Sequence, residues 1–184
     1  RRSSDLLRAR HPRRLVLRAV HVDHHLQPAS AGFRAHCGKF ARRWRVPLAI
    51  LDVQVGLGPG VSVEEAAREA RYAAWRGFLE PGEILLAAQH ADDQAETLLL
   101  ALLRGAGPAG LAAMPRSAAL GQGRLSRPLL DLPRSALLGH AVQHGLTWQE
   151  DPSNQQLRHD RNYLRAQVIP RLRERWPALA QTMS

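Results

Sequence analysis

Short apolar runs alternate with longer segments of helical periodicity through the first hundred residues. The runs are rich in β-branched residues, as in LVLRAVHV at 15–22, which is typical of buried strands. In the longer segments apolar residues recur every three or four positions, which indicates helices with one buried face. The patterns predict strands at 15–22, 46–53 and 83–88, and helices at about 29–44, 62–79 and 91–104. This alternation predicts an α/β fold, a doubly wound parallel sheet with helices on both faces.

The second half of the chain has a different character. A Gly/Pro-rich connector follows Gly105, and a helix is predicted at about 133–144. The loop EDPSN at 150–154 then leads into an Arg-rich tail of helical character. The length suits one domain. We therefore predict a domain over residues 1–150 and a basic helical extension of the same domain over 151–184.

The charge balance predicts a polyanionic partner. The chain has 26 Lys+Arg against 16 Asp+Glu, a formal net charge of +10, and nearly all of the basic residues are arginines. The planar guanidinium favours bidentate contacts with phosphate or carboxylate. The alternative is that arginine fills solvated positions without function.

The single cysteine, Cys37, excludes an internal disulfide framework and any multi-cysteine zinc or iron–sulfur site built from this chain alone. No stretch approaches the roughly 20 apolar residues of a membrane span, and the Arg-rich opening does not resemble a secretory signal. We therefore expect a soluble, cytoplasmic protein with no membrane partner.

The segment QHADDQAET at 89–97 places several polar groups at the start of a helix, directly after a buried strand. In open α/β sheets ligands bind beyond the carboxyl ends of the strands, and residues 21–25 occupy another such end. Asp93 and Glu96 are i, i+3 neighbours. Two close carboxylates can hold a cationic amine and take its proton, or hold a metal ion. Helix capping is the alternative, but it accounts for one acid rather than for four polar groups in a row.

The same segment, with GAGPAGLAAM at 105–114, resembles the signature of tRNA(Ile)-lysidine synthetases, which belong to the PP-loop ATP-pyrophosphatases. The likeness continues on both sides and covers about residues 15–177. The further motifs that resemble the family are HVDHHL at 21–26, EAAREARY at 65–72, RPLL at 127–130, EDPSN at 150–154 and RNYLR at 161–165.

The resemblance implies a two-step reaction on tRNA(Ile) with a CAU anticodon. ATP, together with Mg²⁺, adenylates the C2 oxygen of the wobble cytidine, and the ε-amine of free L-lysine then displaces AMP to give lysidine. Residues 1–150 would then be a nucleotide-binding catalytic domain of the PP-loop type. A homodimer is left open.

The resemblance also assigns roles to individual residues. Asp93 and Glu96 would bind the lysine ammonium, and one of them would accept its proton. The catalytic residues that it implies are Asp93, Glu96, His90 and Arg71, and the nucleotide-binding residues are His21, Asp23, His24, Arg161 and Arg165. The arginines would hold phosphate charge, although a solvated helix face is the alternative for each of them.

The chain departs from the family pattern in two places. Family members begin with a strand and an SGGxDS loop that holds the nucleotide phosphates, and here residues 1–7 read RRSSDLL, which could be the helix after that loop. Gln89 stands where many relatives have a second histidine. We therefore expect that this chain alone does not turn over ATP.

Three rival functions remain open. A PP-loop tRNA thiolase normally needs catalytic or cluster-binding cysteines, for which Cys37 alone is poor support. A DHH-type phosphoesterase shares the tripeptide at 23–25 but requires further upstream aspartates, and only Asp5 precedes it. The third rival is a catalytically inactive RNA-binding module.

Two further expectations concern metals and the tail. The spacing of the histidines and Asp23 at 21–25, and of His36 and Cys37, does not favour a metal site, so none is expected. In the tail, Arg171, Arg173 and Arg175 are expected to contact tRNA phosphates.

Overall fold

The computed structural model describes residues 16–56, 58 and 60–183. The chain divides into two compact units, with the boundary between Trp75 and Arg76. The predicted helix at residues 1–7 lies outside the described residues. Among the described residues, no helix is long and apolar enough to cross a membrane.

The first unit contains two parallel strands and two helices. Strand β1 (Ala19–Asp23) is followed by helix α1 (Ser30–Trp44), strand β2 (Leu48–Asp52) and helix α2 (Val63–Phe78), whose last residues belong to the second unit. The register pairs Ala19 with Leu48 and Asp23 with Asp52, so two carboxylates stand side by side at the carboxyl ends of the strands.

Local sequence signals explain the helix boundaries in this unit. Ser62 accepts a hydrogen bond from the Glu65 amide at 3.2 Å, which confirms the predicted N-cap of α2. Helix α1 ends where Arg45 adopts a left-handed conformation with φ 53°. Cys37, predicted to face the core from α1, is half-buried.

The second unit is built on a three-stranded sheet. Strand β3 (Ile84–Leu86) leads into helices α3 (Ala91–Leu103) and α4 (Pro108–Leu111), then strands β4 (Ser117–Leu120) and β5 (Gly123–Ser126), and helix α5 (Arg134–Gln143). The strand order is β3-β5-β4, with β3 and β5 parallel.

The antiparallel pair of β4 and β5 was missed in the sequence, where these residues were assigned to the Gly/Pro-rich connector. Leu120 and Leu125 at its two ends are buried, which anchors the hairpin in the core. The turn requires glycine, because Gly121 has φ +57° and a Cβ there would lie 2.5 Å from the carbonyl oxygen of Arg76.

The tail is helical, as predicted, but it is broken into short pieces. A 3₁₀ turn (Pro152–Gln155) precedes α6 (Asp160–Tyr163), a π-helical segment (Leu164–Val168), α7 (Ile169–Arg175) and α8 (Leu179–Thr182). The loop at 150–154 acts as a turn and cap, since Asp151 Oδ1 accepts from the Ser153 amide at 2.9 Å. Asn162 Nδ2 donates to the carbonyl oxygens of Ser153 and Gln156 and holds this loop against the tail.

Candidate active site

The strand ends of the first unit bring together most of the residues predicted to bind nucleotide. Asp23 is buried and accepts a hydrogen bond from the His25 amide at 3.0 Å. His24 Nε2 donates to the carbonyl oxygen of Ala67 at 3.0 Å, which ties the strand end to α2. Burial lowers the pKa of His24, and the nearby charge of Arg71 lowers it further. Both effects favour the neutral form of the imidazole.

His21 points to a different neighbour. Its Nδ1 lies 3.7 Å from the Sγ of Cys37 on α1. Burial raises the pKa of this thiol, which keeps it protonated and poorly nucleophilic.

Asp23, His25 and Asp52 form a group whose ligand atoms lie within 4.8 Å of one another and could hold a metal ion. Protein donors already engage this group, because Asp52 Oδ1 accepts from His25 Nε2 at 2.9 Å and from Arg34 Nη1 at 2.8 Å. A metal ion would have to displace these contacts.

In the second unit, His90 and Asp93 form a reciprocal capping box at the start of α3. The His90 amide donates to Asp93 Oδ2 at 3.0 Å, and the Asp93 amide donates to His90 Nδ1 at 3.3 Å. Capping, the alternative to a catalytic role, thus accounts for the His90 ring and for one oxygen of Asp93. The other oxygen, Oδ1, lies outside the box.

Glu96, one turn further along α3, is 1% exposed and is held by two arginines of the tail. Arg165 donates to both of its carboxylate oxygens, at 2.7 and 2.8 Å, and the Nε of Arg161 lies 3.4 Å from Glu96 Oε2. The hydrogen bonds with Glu96 raise the pKa of Arg165. The structure therefore brings the predicted acids and the two predicted arginines into one cluster.

Thr97 and Asp93 complete this cluster. Arg161 Nη2 donates to Thr97 Oγ1 at 2.9 Å, and Thr97 in turn donates to the carbonyl oxygen of Asp93 at 2.8 Å. Arg165 Nη2 lies 3.8 Å from Asp93 Oδ1. The π-helical segment that contains Arg165 changes the helical register after Arg161, and such segments are frequent at functional sites.

Asp92 joins three parts of the second unit, a role that the sequence analysis missed. Its Oδ2 accepts from the Arg134 amide at 2.8 Å, and its Oδ1 accepts from Arg173 Nη2. Burial raises the pKa of Asp92, but the hydrogen bonds from Arg134 and Arg173 outweigh it, so the net shift is downward. The sequence signal for this role was Pro133 before α5. Proline has no side chain able to cap a helix, so the cap had to come from another residue.

The contact with Asp92 bears on the expectation that Arg173 contacts tRNA phosphates. The Arg173 side chain is 39% exposed, but its guanidinium already has Asp92 as an internal partner. Exposed Arg171 and Arg175 keep the earlier assignment.

Two glutamines of the 89–97 segment have structural partners. Gln94 forms two hydrogen bonds of 3.0 Å with the backbone of Met114, one as donor and one as acceptor. Gln89 accepts from Arg127 Nε at 3.2 Å, and Arg127, buried, also donates to the Pro115 carbonyl oxygen. These contacts fix the loop and strands around α3.

Residues 4–172 match the model of the PP-loop domain family. The chain belongs to this family. The α/β fold and the family resemblance inferred from the motifs are thereby confirmed.

Curated relatives carry a more specific name. The chain is 54% identical to the tRNA(Ile)-lysidine synthase of Pseudomonas putida over 168 residues, which are 91% of this chain and 39% of the relative. It is 51% identical to that of Methylococcus capsulatus, covering 91% of this chain and 38% of the relative. The chain therefore spans about two fifths of the length of these relatives.

Among solved structures, the U34-tRNA thiolase NcsA from Methanococcus maripaludis with its [4Fe-4S] cluster has a similar fold. The TM-score is 0.71 at 14% sequence identity, with 98% of this chain and 64% of the thiolase covered. This similarity supports the fold alone.

Proposed function

We propose that this chain carries the reaction centre of an ATP-dependent enzyme that ligates lysine to C2 of the wobble cytidine in tRNA(Ile). The observation that supports it most is the cluster of Asp93, Glu96, Arg161 and Arg165, which joins two acids to two arginines. The names of the relatives point to the same reaction.

The reaction proceeds in two balanced steps. The cytidine C2 oxygen attacks the α-phosphorus of ATP, pyrophosphate leaves, and an adenylated tRNA results. The ε-amine of lysine then attacks C2, the C2–O bond breaks, and AMP leaves. The second step requires a neutral amine, so a carboxylate must accept one proton from the lysine ammonium.

Asp93 suits the acceptor role best. Its Oδ2 is used by the capping box, but its Oδ1 is 3.8 Å from Arg165 and its side chain is 20% exposed, so substrate can reach it. Both oxygens of Glu96 are hydrogen bonded to Arg165, which makes Glu96 the residue that positions the arginines. This division refines the prediction that both acids bind the ammonium.

The two arginines supply positive charge, which stabilises the negative charge that develops on the phosphate groups during the reaction. Arg161 and Arg165 have side chains 27% and 32% exposed, so both are anchored and still accessible. ATP enters as its Mg²⁺ complex in this proposal. Mg²⁺ is held mainly by the substrate phosphates in such complexes. The nucleotide-binding roles of His21, Asp23 and His24 and the catalytic role of Arg71 stay predictions.

A sulfur-transfer reaction is less well supported. The fold similarity to a thiolase is independent of chemistry, and the thiol of Cys37 is half-buried with a raised pKa. A sulfur-transferring cysteine requires the opposite, an exposed thiol with a lowered pKa.

A chimera tests the proposal. The 168 aligned residues of the Pseudomonas putida relative are replaced by those of this chain, and lysine incorporation into a tRNA(Ile) transcript is measured together with AMP release. We expect lysine-dependent AMP release, with one lysine incorporated per AMP. The intact relative is the positive control, and the same reaction without added lysine is the negative control. A folded chimera that transfers no lysine while the relative does would contradict the proposal.

A further inference from the structure

Two histidines lie at the C-terminal end of α5, outside the reaction cluster, by which we mean Asp93, Glu96, Arg161 and Arg165. His140 and His144 are four residues apart, and their rings stack with centroids 4.0 Å apart and planes 28° apart. His140 is exposed and His144 is half-buried. The proposed ligation reaction uses neither residue.

The hydrogen bonding of His144 determines which ring nitrogen carries the proton in its neutral form. Its Nδ1 lies 2.9 Å from the carbonyl oxygen of His140. A carbonyl oxygen only accepts, so Nδ1 carries the proton and the neutral ring has its lone pair on Nε2. Metal-binding histidines in proteins almost always donate their other ring N–H in this way, which sets the tautomer and orients the ring.

We propose that His140 and His144 form a two-imidazole site for a divalent transition-metal ion, of the class that includes Zn²⁺, Ni²⁺ and Cu²⁺. Imidazole nitrogen suits these ions, whereas Mg²⁺ and Ca²⁺ prefer oxygen ligands. Residues at i and i+4 are neighbours on a helix surface, so rotation of the His140 ring out of the stack would let one nitrogen of each ring bind the same ion. Water completes the coordination.

The position of the pair on the helix also favours a cation. Helix α5 ends at Gln143 with His144 as its C-cap, so the pair lies over the last turn. The backbone carbonyls of this turn give the helix end a partial negative charge. A bound cation there gains a favourable interaction that it would lose in the middle of the helix.

The group of Asp23, His25 and Asp52 is the natural competitor for added metal. Arg34 and His25 already donate to Asp52 in that group, and a cation would have to break these contacts. At His140 and His144 a cation would break no ion pair recorded in the described part of the chain.

Isothermal titration calorimetry of the tag-free 184-residue chain with ZnCl₂ and NiCl₂ tests the site. We expect one equivalent to bind at α5, and His140→Gln or His144→Gln to weaken that binding by about tenfold or more. Asp52→Asn should leave it unchanged, and MgCl₂ should not compete. Circular dichroism confirms that each variant is folded.

A spacing variant separates chelation from the mere number of histidines. His140→Gln combined with Gly139→His keeps two imidazoles on the helix but places them five residues apart. Gly139 tolerates the change, because a Cβ there meets no heavy atom within 4 Å. We expect this variant to lose the site. Unchanged affinity in the variants of α5, no binding by the parent chain, or a loss confined to Asp52→Asn would each overturn the proposal.

Discussion

At the scale of single residues, the decisive feature is how each polar group in the reaction cluster is already engaged. Glu96 is almost completely buried, and Arg165 binds both of its oxygens. Asp93 uses one oxygen to cap its own helix and leaves the other near Arg165. Two acids three residues apart therefore have different hydrogen-bond partners, although their spacing in sequence makes them look equivalent.

This difference predicts separate effects of two matched substitutions. In the chimera, Asp93→Asn should reduce lysine use by about one to two decades, because a charge-assisted hydrogen bond is worth roughly 1.5–3 kcal/mol. Nucleotide affinity should change little. Glu96→Gln should, besides reducing lysine use, lower the free energy of unfolding by roughly 1.5–3 kcal/mol, because it weakens the hydrogen bonds that hold Arg165.

Lysine titrations of the chimera and urea unfolding of the 184-residue chain measure the two effects. Asp93→Asn should unfold at nearly the parent urea concentration. If both substitutions left lysine affinity and rate unchanged, the two acids would have structural roles only.

His24 gives a prediction for pH. Burial lowers its pKa in the folded state from the ordinary 6.5, so between 6.5 and the lowered value the unfolded chain binds a proton that the folded chain does not. The free energy of unfolding should therefore fall as the pH drops from 6.5 through the lowered pKa, and then stop falling on this account. His24→Gln, which can still donate to Ala67, should flatten this part of the curve. Urea unfolding between pH 7.5 and 5 measures it, and parallel curves would contradict the assignment.

At the scale of elements, periodicity predicted the helices and parallel strands but not the contacts between them. Phe33, Cys37, Phe40 and Trp44 follow a helical repeat that needs no tertiary information. The structure confirms the helix, but Phe40 of the predicted buried stripe is exposed. The hairpin of β4 and β5 was missed because SAAL and GRLS contain small and polar residues that have low intrinsic preference for strands. Its stability comes from burial of Leu120 and Leu125.

The pairing of α3, α5 and α7 through Asp92 is also invisible in sequence. Pro133 precedes α5 without a side-chain cap, and Asp92 supplies the missing acceptor from another helix. The contacts of Asp92 with Arg134 and Arg173 join residues 42 and 81 positions apart. No local pattern specifies partners at such separations.

Loss of this contact should destabilise the second unit. Asp92→Ala should lower the free energy of unfolding by about 0.5–2 kcal/mol for the cap alone, with a further loss from Arg173. Arg173→Gln should have a smaller effect, because its guanidinium is 39% exposed and solvent screens the pair. Arg171→Gln, at an exposed position on the same helix, is the matched control and should be neutral. Urea unfolding measures the stability of all three variants. Equal stability of Asp92→Ala and the parent chain would show that the contacts of Asp92 with Arg134 and Arg173 do not stabilise the second unit.

At the scale of the whole chain, the excess of positive charge concerns binding rather than folding. Sequence composition predicted a polyanionic partner from the net charge of +10, but it could not separate arginines with internal partners from those available to RNA. The structure makes this separation in the tail. Arg161, Arg165 and Arg173 hold carboxylates of α3, whereas Arg171 and Arg175 are exposed.

The salt dependence of tRNA binding tests whether the exposed arginines of the tail contact RNA. Each phosphate neutralised adds about 0.7–0.9 to the slope of log affinity against log salt concentration, because counterions are released. If Arg171 and Arg175 contact the tRNA backbone, replacing both with Gln should flatten the slope by up to about 1.4–1.8 while leaving stability unchanged.

The matched control removes the same charge from exposed positions on α1, with Arg42→Gln and Arg43→Gln, and should keep the parent slope. The measurement is a titration of tRNA(Ile) binding at several salt concentrations for the parent and the two double variants. An equal flattening in both would mean that net charge alone attracts the RNA, and unchanged slopes in both would exclude the tail as a phosphate contact.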